Sequence, residues 1–197
     1  YGVKLKNGKR VEADVVILAC GLNGARKLLT DIHPTRTKQT LANPSRTTAS
    51  IIELGLDSKP LRDRQAIIDT ENNTAVIDYV AIQSLLSTRG SHLSAITVGG
   101  LSGDVGETRF ESSEERLQYL EAFLDSQASG WREHIVTDLR QEKITIHEYC
   151  DNEIDGFSFS DVGIILAGAW VKSDYILADA AVHSGRTAGK NIGRAQH

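Results

Sequence analysis

Near each end of this chain, a short apolar run leads into a glycine turn and then a helix, and this pair of units constrains the fold most. The first run is Val15-Val16-Ile17-Leu18-Ala19, ending in Cys20-Gly21-Leu22-Asn23-Gly24. The second spans Val162 to Ala167 and ends in Gly168-Ala169-Trp170. Apolar runs of this length read as fully buried strands, short of the length a core helix needs. A strand-to-helix junction also leaves free backbone N–H groups at the helix start. There the helix dipole favours a negative or hydrogen-bond-accepting ligand group.

The flanks of the two units support this reading. Ahead of the first run, Val3 and Leu5 alternate with Lys4 and Lys6, Asn7-Gly8 marks a two-residue hairpin turn, and the chain returns through Lys9 to Glu12. Behind it, Ala25 to Leu29 reads as a short helix. After the second run, Ser173 or Asp174 is expected to cap a long helix reaching about Arg194. Ala178, Ala181, Gly185 and Ala188 recur there at intervals of three and four. That stripe suits close approach to another backbone; on periodicity alone, ordinary tight helix–sheet packing is the favoured account of it.

The centre reads as β-rich. Asp31 to Ser45, with Pro34 and Pro44, is polar and expected to be an exposed connector. Thr47 to Leu56, Thr74 to Val80 and His92 to Val98 carry β-branched, strand-like runs separated by turn residues. Ser112-x-x-Glu115 is a capping box opening a helix with Leu117, Leu120, Phe123 and Leu124 on one face. Ile135 to Leu139 and Lys143 to His147 look extended. The expected fold class is α+β, with a mixed β-sheet covered on one face by the Ser112–Gln127 helix.

Composition closes off several functions. The net charge of −4 provides no basic field for nucleic acid or an anionic membrane. No apolar run approaches the roughly 18–20 residues of a transmembrane segment. Tyr1-Gly2-Val3-Lys4 shows neither a signal-peptide core nor an initiator Met, and reads as the interior of a longer gene. Cys20 and Cys150 lack ligand spacing and are expected to be two buried thiols in a reduced, cytoplasmic protein. The six histidines form no HExxH and no His/Cys cluster, and no G-x-S-x-G occurs. Asp151, Glu153 and Asp155 cluster in what reads as a solvated loop. Trp131, Trp170, Tyr149, Phe157 and Phe159 suit either plain core or the wall of an apolar cavity.

Leu166-Ala167-Gly168-Ala169-Trp170, followed by Ala180-Ala181-Val182-His183-Ser184-Gly185-Arg186-Thr187-Ala188-Gly189, resembles the C-terminal flavin motif of amine-oxidase and phytoene-desaturase-like flavoproteins. In that family (L/F)-A-G-D-W precedes a helix with G-A-x-x-S-G-x-x-A-A. The segment from Val3 to Leu29 is similar to the family's hairpin and buried strand lying against the nucleotide. The resemblance implies three parts. Residues 1–30 would be one remnant of an FAD/NAD(P)-binding Rossmann-like domain, 46–160 a substrate-type α+β domain, and 161–197 the flavin-motif strand and helix.

The resemblance implies FAD as cofactor, bound around Gly168, Ala169, Trp170, Leu177, Ala178, Ala180 and Ala181. Gly168 would let the backbone approach the ribityl–pyrophosphate region. The helix start around Leu177 to Ala181 would face the pyrimidine edge of the flavin ring. Ser184 and Gly185 would support close packing of that helix. The implied activity is hydride removal from a small apolar or amine substrate; no catalytic acid or base is assigned. Two departures stand against it. Ala169 occupies the place of the family's ribityl-binding Asp, and no G-x-G-x-x-G fingerprint is present. The expected protein is therefore the C-terminal portion of a flavoenzyme, inactive alone and a poor binder of FAD. A non-catalytic α+β interaction domain on a degenerate flavoprotein scaffold is the alternative.

Overall fold

A computed structural model describes residues 2–192 and divides them into two units. One comprises the segments up to Ser45 and from His147 onward; the other runs from Arg46 to Ile146. In the first unit, β1 (Gly2–Lys4) and β2 (Arg10–Glu12) pair antiparallel, with Val3 opposite Val11. The Asn7-Gly8 turn is wider than its dipeptide suggests. Leu5 donates its N–H to Lys9 O at 2.8 Å, and the Asn7 side chain takes the Lys9 N–H at 3.1 Å. An Asx-type bond of this kind lets a longer loop replace a tight turn.

β3 (Val16–Leu18) leads into α1 (Gly21–Thr30), which buries Leu22, Ala25 and Leu29. The stretch expected to be an exposed connector instead holds α2 (Pro34–Thr40), with Thr37 and the following Leu41 buried. Pro34 starts it because its missing N–H costs nothing in a first turn. The helix was invisible to periodicity because Pro34 to Thr40 contains no apolar residue.

The second unit is built on β4 (Ser45–Leu56), β5 (Ala66–Asp69), β6 (Thr74–Asp78) and, after the short α3 (Tyr79–Ile82), β7 (Ser91–Val98). α4 (Ser113–Gln127) and β8 (Ile135–Tyr149) follow. The sheet order is β5-β6-β7-β4-β8. β5–β6, β6–β7 and β7–β4 pair antiparallel, with Ile52 opposite Ala95 and Leu54 opposite Leu93. Period-2 alternation puts Ile52, Leu54, Leu56, Val76, Leu93 and Ala95 on one face, where they pack in one core with Leu120, Leu124, Ala128 and Trp131. Each fully buried Leu contributes roughly 1.5–3 kcal/mol over leaving it exposed. The two extended stretches read between Ile135 and His147 are one continuous strand.

α4 starts as the capping box requires: Ser112 Oγ accepts the Glu115 N–H at 3.1 Å. Its buried line, however, is Arg116, Leu120 and Leu124, with Leu117 and Phe123 at the margins. Arg116 is fully buried. Its guanidinium donates to Thr48 O, Gly99 O, Glu142 O and Ser50 Oγ and pairs with Asp104 at 3.3 Å. Burial pulls its pKa down, and the Asp104 charge opposes that.

The first unit resumes with β9 (Ile164–Leu166) and α5 (Leu177–Asn191). β9 pairs parallel with β3, Val16 with Ile164 and Leu18 with Leu166, so the two apolar runs are neighbours. The cysteines depart from expectation: Cys20 is exposed and Cys150 half-buried, because each lies at an element end. No helix among the described residues is long and apolar enough to cross a membrane.

Candidate functional site

The turn between β9 and α5 is held by one hydroxyl. Ser184 Oγ accepts the Gly168 N–H at 2.9 Å and lies 3.0 Å from Gly168 O and 3.1 Å from Ala181 O. Its single proton can serve either carbonyl. The strand therefore leaves β9 with Ala167 N–H still bonded to Leu18 O at 3.0 Å and passes directly under the helix. Gly168 has φ +144°, and a Cβ there would overlap the Trp170 indole. Only glycine fits this position.

Both helix readings at this junction need correction. Neither Ser173 nor Asp174 caps α5. The N-cap is Ile176 and no side chain accepts from the first turn, so its N–H groups are left for another acceptor. The small-residue stripe is displaced as well. Ala180, Ser184 and Ala188 are the buried line, whereas Ala178 and Gly185 are exposed and a Cβ at Gly185 would meet open space. Gly185 thus takes no part in close packing. Spacings of three and four fit either stripe, and only packing selects between them. The expected end near Arg194 lies outside the described residues.

Of the residues singled out by resemblance, Gly168, Ala169 and Trp170 share the turn; Leu177, Ala178, Ala180 and Ala181 lie on the first turns of α5. Ala180 is buried against the unit and Ala181 half-buried. Leu177 has φ +51°, a left-handed conformation that a branched side chain rarely adopts, and it remains half exposed. Ala169, Trp170 and Leu177 line one cavity of about 480 Å³ together with His147, Tyr149 and Cys150 from the end of β8 and the loop after it. A larger concavity of about 790 Å³ is lined by the hairpin segments Gly2–Lys4 and Arg10–Asp14, and it gathers no aromatic or nucleophilic side chain.

Three of the lining residues carry a polar atom that is buried away from the open space. His147 Nδ1, Tyr149 Oη and Trp170 Nε1 are buried and have no hydrogen-bond partner. A buried orphan of this type typically costs about 1–3 kcal/mol. The His147 and Tyr149 rings stack with centroids 5.6 Å apart and planes at 20°. Burial pushes the Cys150 thiol above its usual range, with Arg26 opposing the shift. The acidic residues nearby are occupied: Asp151 accepts from Asn43, Glu153 pairs with Lys172, and Asp155 caps Phe157 N–H.

Residue-type reading missed Glu148. Its carboxylate accepts the Leu22 N–H at 2.8 Å and sits where a Cβ on Gly21 would fall. The glycine turn after β3 is therefore filled by the chain's own anion. No local sequence signal could show this, because Glu148 lies 126 residues from Leu22. Trp131 and Phe159 are plain core, the former with its Nε1 donating to Asp125. His183 is exposed beside Ser173.

The family model for flavin containing amine oxidoreductase matches residues 1–192. No curated protein sequence matches the chain. Among solved structures it is similar to a putative protoporphyrinogen oxidase from Exiguobacterium sp. 255-15, with TM-score 0.65 and 17% identity over 95% of this chain and 42% of that one. A cyclohexylamine oxidase from Brevibacterium oxydans IH-35A gives TM-score 0.59 and 13% identity, covering 95% and 43%. An oxidoreductase from Methanosarcina mazei gives 0.55 and 15%, covering 94% and 44%. The chain thus spans less than half the length of these structures.

Proposed function

Since this chain belongs to the flavin-containing amine oxidoreductase family, we propose that it carries the flavin-facing turn and a substrate-type sheet of an FAD-dependent oxidoreductase. The observation that carries this reading is the Gly168 turn. A glycine that admits no Cβ, clamped by Ser184, precedes a helix whose first turn no side chain caps. Those features suit a flat ligand with hydrogen-bond acceptors on its edge.

Gly168 would allow close backbone approach, and the N–H groups at Leu177 and Ala178 would stabilise negative charge developing on the pyrimidine edge. Ala180 and Ala181 set how near that helix comes. Bound FAD would supply the hydride acceptor for a C–H bond of an apolar or amine substrate. Ala169 offers no acceptor to a ribityl hydroxyl, which removes a bond worth about 0.5–1.5 kcal/mol. With no G-x-G-x-x-G in the chain, the chain alone is expected to hold FAD weakly and to turn over no substrate.

The purified chain should be colourless, and added FAD should show weak fluorescence quenching that Gly168→Ala removes. A yellow preparation overturns weak binding. Quenching equal in the chain and in Gly168→Ala overturns the location. Ala169 favours one second reading, a non-catalytic binding domain on the same scaffold. Complete absence of quenching at saturating FAD would select it.

A further inference from the structure

β8 ends the five-stranded sheet: one side meets β4, and among the described residues no strand pairs with the other. The nine residues from Ile135 to Lys143 are all exposed, with Val136 at 70% and Leu139 at 51%. An edge of this length offers a row of backbone N–H and C=O groups to a second strand. The opposite edge, β5, is only four residues long.

Charges on an edge strand ordinarily guard it against such pairing. In β8 their order admits one partner. Asp138 and Arg140 lie two residues apart, hence on the same face of the strand, and they flank Leu139. A second β8 running antiparallel, with a two-fold axis at Leu139, sets Leu139 against Leu139 and Thr137 against Gln141. Asp138 of each copy then faces Arg140 of the other, and directly opposed unlike charges stabilise a strand pair. An axis at Asp138 sets that carboxylate against itself; one at Arg140 sets Arg140 against itself and Asp138 against Glu142. An axis at Gln141 pairs Arg140 with Glu142 but faces Leu139 with Lys143. A parallel in-register ladder stacks every charge on its like. The strand thus specifies a single register.

We propose that β8 is a self-association edge, through which two copies of this chain join their sheets antiparallel about Leu139. In the single chain Arg140 pairs with Asp138 at 2.8 Å and with Glu121. Surface pairs of this kind hold their side chains weakly, so Arg140 can exchange its own Asp138 for that of the second copy. The occupant is a copy of this chain because the two-fold axis brings the matching charges in the matching order. Backbone pairing along one strand is a small contact, so the dimer forms reversibly as concentration rises.

Sedimentation velocity on the full chain across a concentration series reads the association, and a monomer–dimer equilibrium is expected. Asp138→Arg and Arg140→Asp each set like charges opposite one another twice per dimer and should weaken it about tenfold or more. The double variant Asp138→Arg/Arg140→Asp should restore most of the loss. A chain that stays monomeric throughout overturns the inference. So does a dimer indifferent to both single variants, since it would use another surface. Cross-linking checks the register and decides even where the charge variants fail to fold. Opposed residues in an antiparallel pair have Cα atoms about 4.5–5.5 Å apart, within disulfide reach. With oxidised glutathione as the oxidant, Leu139→Cys should give a covalent dimer. Lys143→Cys, about 26 Å from its copy in this register, should give only the background of Cys20 and Cys150. Equal cross-linking of the two variants overturns the proposal.

Discussion

The two units treat buried polarity in opposite ways. In the Arg46–Ile146 unit, the most demanding buried group is Arg116, and it is saturated by three carbonyls, two hydroxyls and Asp104. A single orphan, Ser58 Oγ, remains there among the described residues. In the other unit, three side-chain atoms, His147 Nδ1, Tyr149 Oη and Trp170 Nε1, are buried without a partner, and the first turn of α5 has no side-chain cap. A unit whose polar groups are closed on themselves is organised for stability. The first unit instead leaves buried polar atoms unpartnered at the end of β8 and at the glycine turn.

The sharpest way to break that contrast is Arg116→Ala. It leaves the buried Asp104 charge uncompensated and takes the Arg116 donor from the Gly99 carbonyl, which should cost about 3–5 kcal/mol. Such a loss is a large share of typical domain stability, about 5–15 kcal/mol. Urea unfolding of the full chain should show early loss of the sheet signal. A cost below about 1 kcal/mol would mean that Arg116 is not what closes this unit.

Ser184→Ala tests the other side. It leaves the Gly168 N–H unpaired under the helix and should cost about 1–3 kcal/mol. Because the clamp sits at the candidate site, flavin quenching should fall along with Tm. Stability lost with binding unaffected would separate the turn from the site.

The smallest effect concerns pH. The Arg132 guanidinium holds the Asp125 carboxyl below its usual range, helped by the Trp131 indole. Its folded pKa is depressed, so its contribution is present above the unfolded value of about 3.9 and lost as pH falls through the folded one. The side chain is half exposed, which keeps the effect within about 1 kcal/mol. The drop in Tm between pH 5 and pH 3 should be slightly smaller in Asp125→Asn. An equal drop would remove Asp125 from the acid response.

Elements marked by strong local patterns were legible. β4, β6, β7 and α4 follow from alternation and from Ser112-x-x-Glu115, because those signals are carried by residues a few positions apart. α2 and β5 were not: the first has no apolar residue, and the second is four residues long between turns. At the site, Gly168 and Ser184 were recognisable from their motif, whereas His147 and Tyr149 drew notice only as ordinary members of a strand and a set of aromatics.

By itself, the sequence determined the two apolar strand–glycine–helix units, the β-rich centre and the family resemblance, because each is written in contiguous residues. Tertiary structure alone decided that β3 lies beside β9, that Glu148 fills the Gly21 turn, and that Ala180, Ser184 and Ala188 face inward. It also brought His147, Tyr149 and Trp170 to one cavity. All of these join residues far apart in the chain or choose between equivalent helix faces, and local periodicity carries no information about either.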